Sequence, residues 1–139
     1  MGRILAIDHG NKRCGLAVTD PLQLSVNPLE TVHSREVIAR LKEFAQKEEL
    51  ESFVVGAPSS EDGSPSSHTR ASDEFCIHLS RKFPDIPVKR VDESFTSREA
   101  MNIMRRSGVT KKEREKKERV DQLSACLILE RYLGLETAS

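Results

Sequence analysis

Three carboxylates occupy positions where an acid is unusual in a folded protein. Asp8 directly follows the apolar segment "ILAI", and Glu93 directly follows the strand-like segment "VKRVD". Asp121 lies within "RVDQLSACLILERYL", where helical spacing puts it on the same face as Ala125 and Ile128. An unpaired carboxylate facing a core is costly and tends to take up a proton. Each acid therefore needs a cation, which is either a metal ion or a basic side chain.

Each acid also has an ordinary structural interpretation. Asp8 can open a hairpin turn, because Asp-x-Gly is favourable turn chemistry. Glu93 can cap the next helix or pair with Arg90 or Arg98, and Asp121 can form a buried ion pair. In open α/β sheets, however, ligands gather outside the carboxyl ends of strands. Two acids at strand ends and one helix acid facing the sheet can thus converge on one point.

The chemistry of such a cluster follows from its oxygen donors. Carboxylates without clustered His or Cys suit Mg²⁺ or Mn²⁺ and do not suit zinc. Two such ions, about 3.5–4 Å apart, would stabilise the attacking and leaving oxygens of a phosphodiester cleavage. The sequence therefore predicts a site for two divalent ions formed by Asp8, Glu93 and Asp121.

Basic residues flank these acids along the chain. Lys12 and Arg13 follow Asp8 closely, Arg70 opens a predicted helix, and Arg98 follows Glu93. The segment 105–119 carries eight cations and three anions, although the chain as a whole has no net charge. These cations are expected to contact a phosphate backbone; a solvated helix with i,i+4 ion pairs is the alternative for the segment. With one Tyr and no Trp, base stacking is poor, which favours recognition of nucleic acid by shape and backbone.

Hydrophobic periodicity predicts the elements that position these residues in the order β-β-β-α-β-α-β-α-α. Ser34 is the predicted N-cap of a first helix of about 14 residues, and the last helix is predicted to end at Gly134. A hairpin followed by βα units predicts an α/β fold, with a mixed five-stranded sheet and helices on both faces. The predicted strands are Arg3–Ile7, Leu16–Val18, Leu29–Val32, Ser52–Gly56 and "PVKRVDE".

The composition is that of one globular domain, predicted to span residues 1–139. Apolar residues make up 37% and charged residues 32% of the chain. The three cysteines are odd in number and form no CxxC, which favours free thiols in a reducing cytoplasm. The sequence indicates neither a signal peptide nor a membrane span.

Four segments in order resemble the YqgF family of Holliday-junction-resolvase-like nucleases, which have a ribonuclease-H-like fold. They are "AIDHGNKRCGLAVTD", "VVGAPSSEDGS", "VDESFTSREA" and "KKERVDQLSACLILERYL". The family pattern D-x-G-x-K-R-x-G is met by Asp8, Gly10, Lys12, Arg13 and Gly15. The family's acidic site carries over to Asp8, Glu93 and Asp121, whereas Ser94 stands where the family has an Arg beside the acid.

The resemblance implies a cytoplasmic nuclease that processes the 5′ end of pre-16S rRNA in ribosome biogenesis. The alternative is a Holliday junction resolvase that acts on branched DNA in recombination and repair. Two other classes stay open. One is a non-catalytic RNA-binding module. The other is a relative of actin-like ATPases, because the segment "DHGNKRCG" resembles their phosphate loop. No membrane partner is expected. The chain is expected to be a monomer or a homodimer, and cutting a symmetric junction requires two sites related by a two-fold axis.

Overall fold

The computed structural model describes residues 2–57, 67–92 and 117–137. The strands are β1 Arg3–His9, β2 Arg13–Thr19, β3 Val26–His33, β4 Leu50–Ala57 and β5 Val88–Asp92. The helices are α1 Val37–Lys47, α2 Ser67–Lys82 and α3 Lys117–Thr137. All five strands form one sheet in the spatial order β3-β2-β1-β4-β5.

The sheet is mixed, as predicted. Strand β2 is antiparallel to both β1 and β3, whereas β4 is parallel to both β1 and β5. Two crossovers, through α1 and through α2, give β1, β4 and β5 the same direction. Their carboxyl ends, at His9, Ala57 and Asp92, therefore meet at one side of the sheet, which we call the carboxyl edge.

Alternating side chains on the strands divide the core in two. On β1, Leu5 and Ile7 face the core beneath α1 and α2, whereas Ile4 and Ala6 face the core beneath α3. Helices therefore cover both faces of the sheet, and the predicted fold class is confirmed. The same alternation puts Asp8 in the row of Ile4 and Ala6, on the α3 side.

Helix α3 crosses the whole sheet. Near its start, the Gln122 side-chain amide donates to the Thr31 hydroxyl of β3 at 3.2 Å. Further along, Arg131 donates to the backbone carbonyl of Asp92, at the end of β5, at 2.8 Å. Although α3 has 21 residues, neither it nor another described helix is long and apolar enough to cross a membrane. Its path from one edge strand to the other carries Asp121 over the sheet.

The prediction that Ser34 caps the first helix is wrong. Helix α1 begins at Val37, and its N-cap residue is Glu36, which makes no side-chain capping bond. The Ser34 hydroxyl instead donates to the backbone carbonyl of Gly10 at 2.7 Å. A capping side chain stands at the N-cap position and accepts from the N–H groups of the first turn, whereas Ser34 lies two residues before that position.

The other helix boundaries differ by a few residues from the predicted ones. Helix α2 begins at Ser67, four residues before the predicted start at Ala71. Helix α3 continues through Gly134 to Thr137, and the Cβ position of that glycine is open space. A single glycine is tolerated inside an exposed helix at a cost of about 1 kcal/mol. The capping boxes predicted between residues 96 and 113 lie outside the described residues.

Candidate active site

Asp8 and Asp121 are brought together across a glycine. In the antiparallel pairing of β1 and β2, Asp8 lies opposite Gly15. A Cβ atom on Gly15 would overlap the backbone carbonyl of Asp121, so α3 rests directly on β2 at this point. Any side chain here would push the helix off the sheet, and a glycine inside a strand marks such a close approach. The acid of the last helix therefore lies beside the acid at the end of the first strand.

The electrostatics of Cys14 agree with this arrangement. The thiol is buried, and burial is the main cause that raises its pKa. The negative charges of Asp8 and Asp121 raise the pKa of the same thiol further. Both carboxylates thus act on the same thiol, and two neighbouring carboxylates favour binding of a cation.

Arg13, the first residue of β2, supplies one cation to the site. Its Nε donates to Oδ2 of Asp121 at 3.1 Å, across 108 residues of sequence. The two side chains are 36% and 26% exposed, so water weakens the interaction. Partly solvated pairs of this kind contribute about 0.2–1 kcal/mol to stability. Sequence alone left open whether Asp121 forms an ion pair, and in the structure it does.

A cavity of about 460 Å³ opens between the β1–β2 loop and α3. The loop itself, residues 10–12, exposes Asn11 and Lys12 to solvent. The cavity thus combines cationic and amide donors on one side with a carboxylate on the other. This combination suits a phosphate group held next to a metal ion. The described residues that line the cavity are Gly10, Asn11, Lys12, Arg13 and Asp121.

Sequence reasoning missed the part that Ser34 takes in this site. Besides the bond from its hydroxyl to Gly10, its backbone N–H donates to the Lys12 carbonyl at 3.0 Å. Both bonds hold the loop that lines the cavity. The cap-like sequence "HSRE" carried no signal of this, because the partners lie more than twenty residues earlier in the chain.

Arg70 lies elsewhere on the carboxyl edge. It is exposed and sits two residues before Ser72, whose hydroxyl donates to the Gly56 carbonyl at 3.3 Å. Helix α2 packs on the face of the sheet opposite to α3, so Arg70 does not join Arg13 and Asp121 in the cavity. Glu93, Arg98 and the side chains of segment 105–119 lie outside the described residues.

The two described acids provide part of a metal site. Within residues 2–57, 67–92 and 117–137, no group of three or more His, Cys, Asp or Glu side chains is close enough to hold a metal ion. Asp8 and Asp121 supply hard oxygen donors, which fit Mg²⁺ or Mn²⁺. The third predicted donor, Glu93, follows β5 in the sequence and is not described.

A family model described as RuvX, Holliday junction resolvase, matches residues 2–135. The chain belongs to this family. The resemblance drawn from four motifs is thereby confirmed. Membership of the RuvX family makes the chain a nuclease, a hydrolase that acts on phosphodiester bonds, so the predicted enzyme class is also confirmed.

Curated relatives match nearly the whole length of the chain. A protein of Flavobacterium psychrophilum named "Putative pre-16S rRNA nuclease" is 42% identical over 133 residues, which cover 96% of this chain and 97% of that protein. A protein of Chlorobium luteolum with the same name is 44% identical over 132 residues, which cover 95% and 94%. The similarity therefore extends over nearly the full length of both chains in each comparison.

Solved structures confirm the ribonuclease-H-like fold of resolvases. RuvC of T. thermophilus, in complex with a Holliday junction substrate, superimposes with a TM-score of 0.57 at 17% identity, covering 97% of this chain and 96% of that one. The Fowlpox virus resolvase, in complex with Holliday junction DNA, gives a TM-score of 0.59 at 12% identity, covering 99% of both chains. At such low identity the likeness concerns the fold alone.

Proposed function

We propose that this chain is a divalent-metal-dependent nuclease that processes the 5′ end of pre-16S rRNA in the cytoplasm. The observation that carries the metal-dependent chemistry is the approach of Asp8 and Asp121 across Gly15, next to a cavity lined with cations. The RNA substrate is supported by the name of relatives that are 42% and 44% identical to it. The proposed unit is one ribonuclease-H-like nuclease domain, residues 1–139.

In this proposal Asp8, Glu93 and Asp121 hold two Mg²⁺ or Mn²⁺ ions. Glu93 joins the set because it lies in the motif "VDESFTS". When bound, the ions supply an activated water and neutralise charge on the phosphate. The carboxylates repel one another until a cation is present, so their positions depend on the packing of α3 against β2.

The basic residues bind and orient the phosphate backbone. Lys12 and Arg13 line the cavity and hold the phosphate that is cut. Arg70, at the carboxyl edge, and Arg98 contact the flanking phosphates. Contacts to phosphates position a nucleic acid without reading its bases. Recognition of a folded RNA by shape therefore needs no aromatic platform.

The test compares Asp8→Asn with Asp85→Asn on a precursor 16S RNA that carries its 5′ extension. Asp8→Asn keeps the side-chain shape and removes the charge that holds the cation, so we expect cleavage in Mg²⁺ to fall by about 10³-fold or more. Asp85→Asn makes the same chemical change at an exposed position before β5 and is expected to cleave like the wild type. Equal cleavage by Asp8→Asn and wild type would overturn the proposal.

The second candidate is resolution of Holliday junctions in branched DNA, supported by the description of the family model. We expect the precursor RNA to be cut faster than a four-way DNA junction under the same Mg²⁺ concentration. Light scattering adds a second criterion, because symmetric cutting of a junction requires a homodimer. A dimer that cuts junctions faster than RNA would replace the first candidate by the second.

A further inference from the structure

Ser34 holds the β1–β2 loop from outside the hairpin. It lies between β3 and α1, and it makes two hydrogen bonds to the loop. Its hydroxyl donates to the Gly10 carbonyl at 2.7 Å, and its N–H donates to the Lys12 carbonyl at 3.0 Å. The first and last residues of the loop are therefore both fixed by one residue.

The Ser34 hydroxyl lies near a buried thiol and does not cap helix α1. The Ser34 Oγ lies 3.7 Å from Sγ of Cys14, which is fully buried. Helix α1 meanwhile starts without a side-chain cap. A serine cap stabilises a helix by about 1 kcal/mol, and this residue is two positions from the cap position. The hydroxyl contributes to the shape of the loop, and the helix start goes without that stabilisation.

The bond to Gly10 also sets the direction of a backbone donor. The peptide group is planar and trans, so its N–H and C=O point in opposite directions. With the Gly10 carbonyl turned towards Ser34, the N–H of Asn11 is turned away from it. Asn11 lines the cavity of about 460 Å³, where a backbone N–H can donate to an anionic oxygen.

We propose that Ser34 is a positioning residue that fixes the Gly10–Lys12 loop in the conformation that binds the substrate phosphate. It acts through the loop and does not touch the substrate. One phosphate can then contact three groups together, which are the backbone N–H of Asn11 and the side chains of Lys12 and Arg13. The inference rests on the proposed function, in which this cavity takes the phosphate backbone. Because binding is what the loop controls, substrate affinity should depend on Ser34 more than the chemical step does.

The kinetic test compares Ser34→Ala with Ser34→Thr on the precursor RNA in Mg²⁺. Loss of the hydroxyl should raise KM about five- to tenfold and leave kcat within about twofold, since the loop loses a bond made in both ground and transition states. Ser34→Thr keeps a hydroxyl and should stay within about twofold of the wild-type KM. A KM equal to that of the wild type in Ser34→Ala, or equal damage by both variants, would overturn the proposal.

Thr19→Val is the control for the loss of a hydroxyl that is hydrogen-bonded to the backbone. The Thr19 hydroxyl accepts a hydrogen bond from the N–H of Ile4 at 2.9 Å, at the opposite end of β2. Its loss should lower the free energy of unfolding and leave KM unchanged. A rise in KM with Thr19→Val equal to that with Ser34→Ala would attribute both effects to general destabilisation and overturn the proposal.

A second readout needs no substrate. Cys14 lies against the Ser34 hydroxyl, so opening of the loop should expose its thiol. We expect alkylation of Cys14 in Ser34→Ala to be about fivefold faster than in the wild type, measured by peptide mapping against buried Cys126. Unchanged alkylation would overturn the role of Ser34 in holding the loop. If the wild type neither binds nor cuts the RNA, the proposed function fails, and this readout still decides whether Ser34 fixes the loop.

Discussion

The two loops at the ends of β2 are held in different ways. The loop at the site end, residues 10–12, is fixed by Ser34, which lies 24 residues from Gly10. The loop at the distal end, between β2 and β3, is fixed by its own first residue. The Asp20 carboxylate accepts hydrogen bonds from the N–H groups of Leu24 at 2.6 Å and Ser25 at 2.7 Å. The hydrogen bonds of Asp20 are thus made within the distal loop, whereas those of Ser34 reach the site loop from a remote segment.

The distal loop is also bonded to two other segments of the chain, through a residue with a strained backbone. Gln23 has a φ of 59°, in the left-handed region that side chains other than glycine seldom adopt. Its side-chain amide donates to the Gly2 carbonyl at 2.9 Å and to the Glu51 carboxylate at 2.7 Å. These bonds hold the strained residue, and neither Gly2 nor Glu51 is among the described residues that line the cavity at the site. Substitutions at the distal end should therefore change stability alone, whereas substitutions at the site end should also change activity.

Among substitutions that compare the two ends of β2, the largest effect is expected at Gly15, where the site end of β2 meets α3. Gly15→Ala should destabilise the fold by about 1–3 kcal/mol, because the added Cβ overlaps the backbone of Asp121. Displacement of Asp121 should also reduce cleavage by about 10²-fold, as expected for a shift of about 1 Å in a catalytic group. Urea unfolding and cleavage of precursor RNA measure the two losses.

Gly134→Ala is the control for that substitution. The Cβ position of Gly134 is open space in α3, so alanine should stabilise the helix by about 0.8–1.0 kcal/mol and leave cleavage unchanged. If Gly15→Ala were as stable and as active as Gly134→Ala, the close contact of α3 with β2 could not be what positions the site.

A smaller effect is expected from Arg13→Gln. Loss of the ion pair with Asp121 should cost at most about 1 kcal/mol of stability, because both side chains are partly solvated. Loss of a phosphate contact should weaken RNA binding and reduce the slope of log K against log salt by about 1. Fluorescence anisotropy at several salt concentrations measures this slope.

Arg3→Gln makes the matched change at the distal end. Arg3 pairs with Glu48 at 3.2 Å and also donates to the Thr19 carbonyl at 3.1 Å. Its loss should affect stability to a similar extent and leave the salt slope unchanged. An equal change of slope in both variants would indicate that overall charge, and not the cavity, governs binding.

The smallest effect concerns pH and the distal loop. Hydrogen bonds, first of all from the Ser25 N–H, lower the pKa of Asp20 below its ordinary value of 3.8. The stability that this carboxylate contributes is thus present above pH 3.8 and lost as pH falls through the lower folded pKa. Asp20→Asn should remove this acid dependence and leave RNA cleavage at neutral pH unchanged. Urea unfolding at a series of pH values from about 2.5 to about 7 tests it. An unaltered acid dependence in Asp20→Asn would contradict the role of Asp20.

The sequence predicted the sheet well, because the order and spacing of the apolar segments determine which strands pair and which helices cross over. It also identified Asp8 and Asp121 from their positions at a strand end and on an inward helical face. It did not predict that Gly15 lies under Asp121 or that Ser34 bonds to Gly10. These contacts depend on how distant segments pack, and a local pattern such as the cap-like "HSRE" misled the assignment of Ser34. The catalytic and metal-binding roles of Asp8, Glu93 and Asp121 stay predictions.

The ion pair between Arg13 and Asp121 has a consequence for the point during protein synthesis at which the site can form. It joins residues 108 positions apart, and Asp121 lies in α3, which follows all five strands of the sheet in the chain. A nascent chain already contains Asp8, the cavity loop and all five strands before α3 emerges from the ribosome. Such a chain lacks Asp121 and the helix that covers one face of the sheet. The proposed site is therefore completed only after α3 has followed the five strands out of the ribosome.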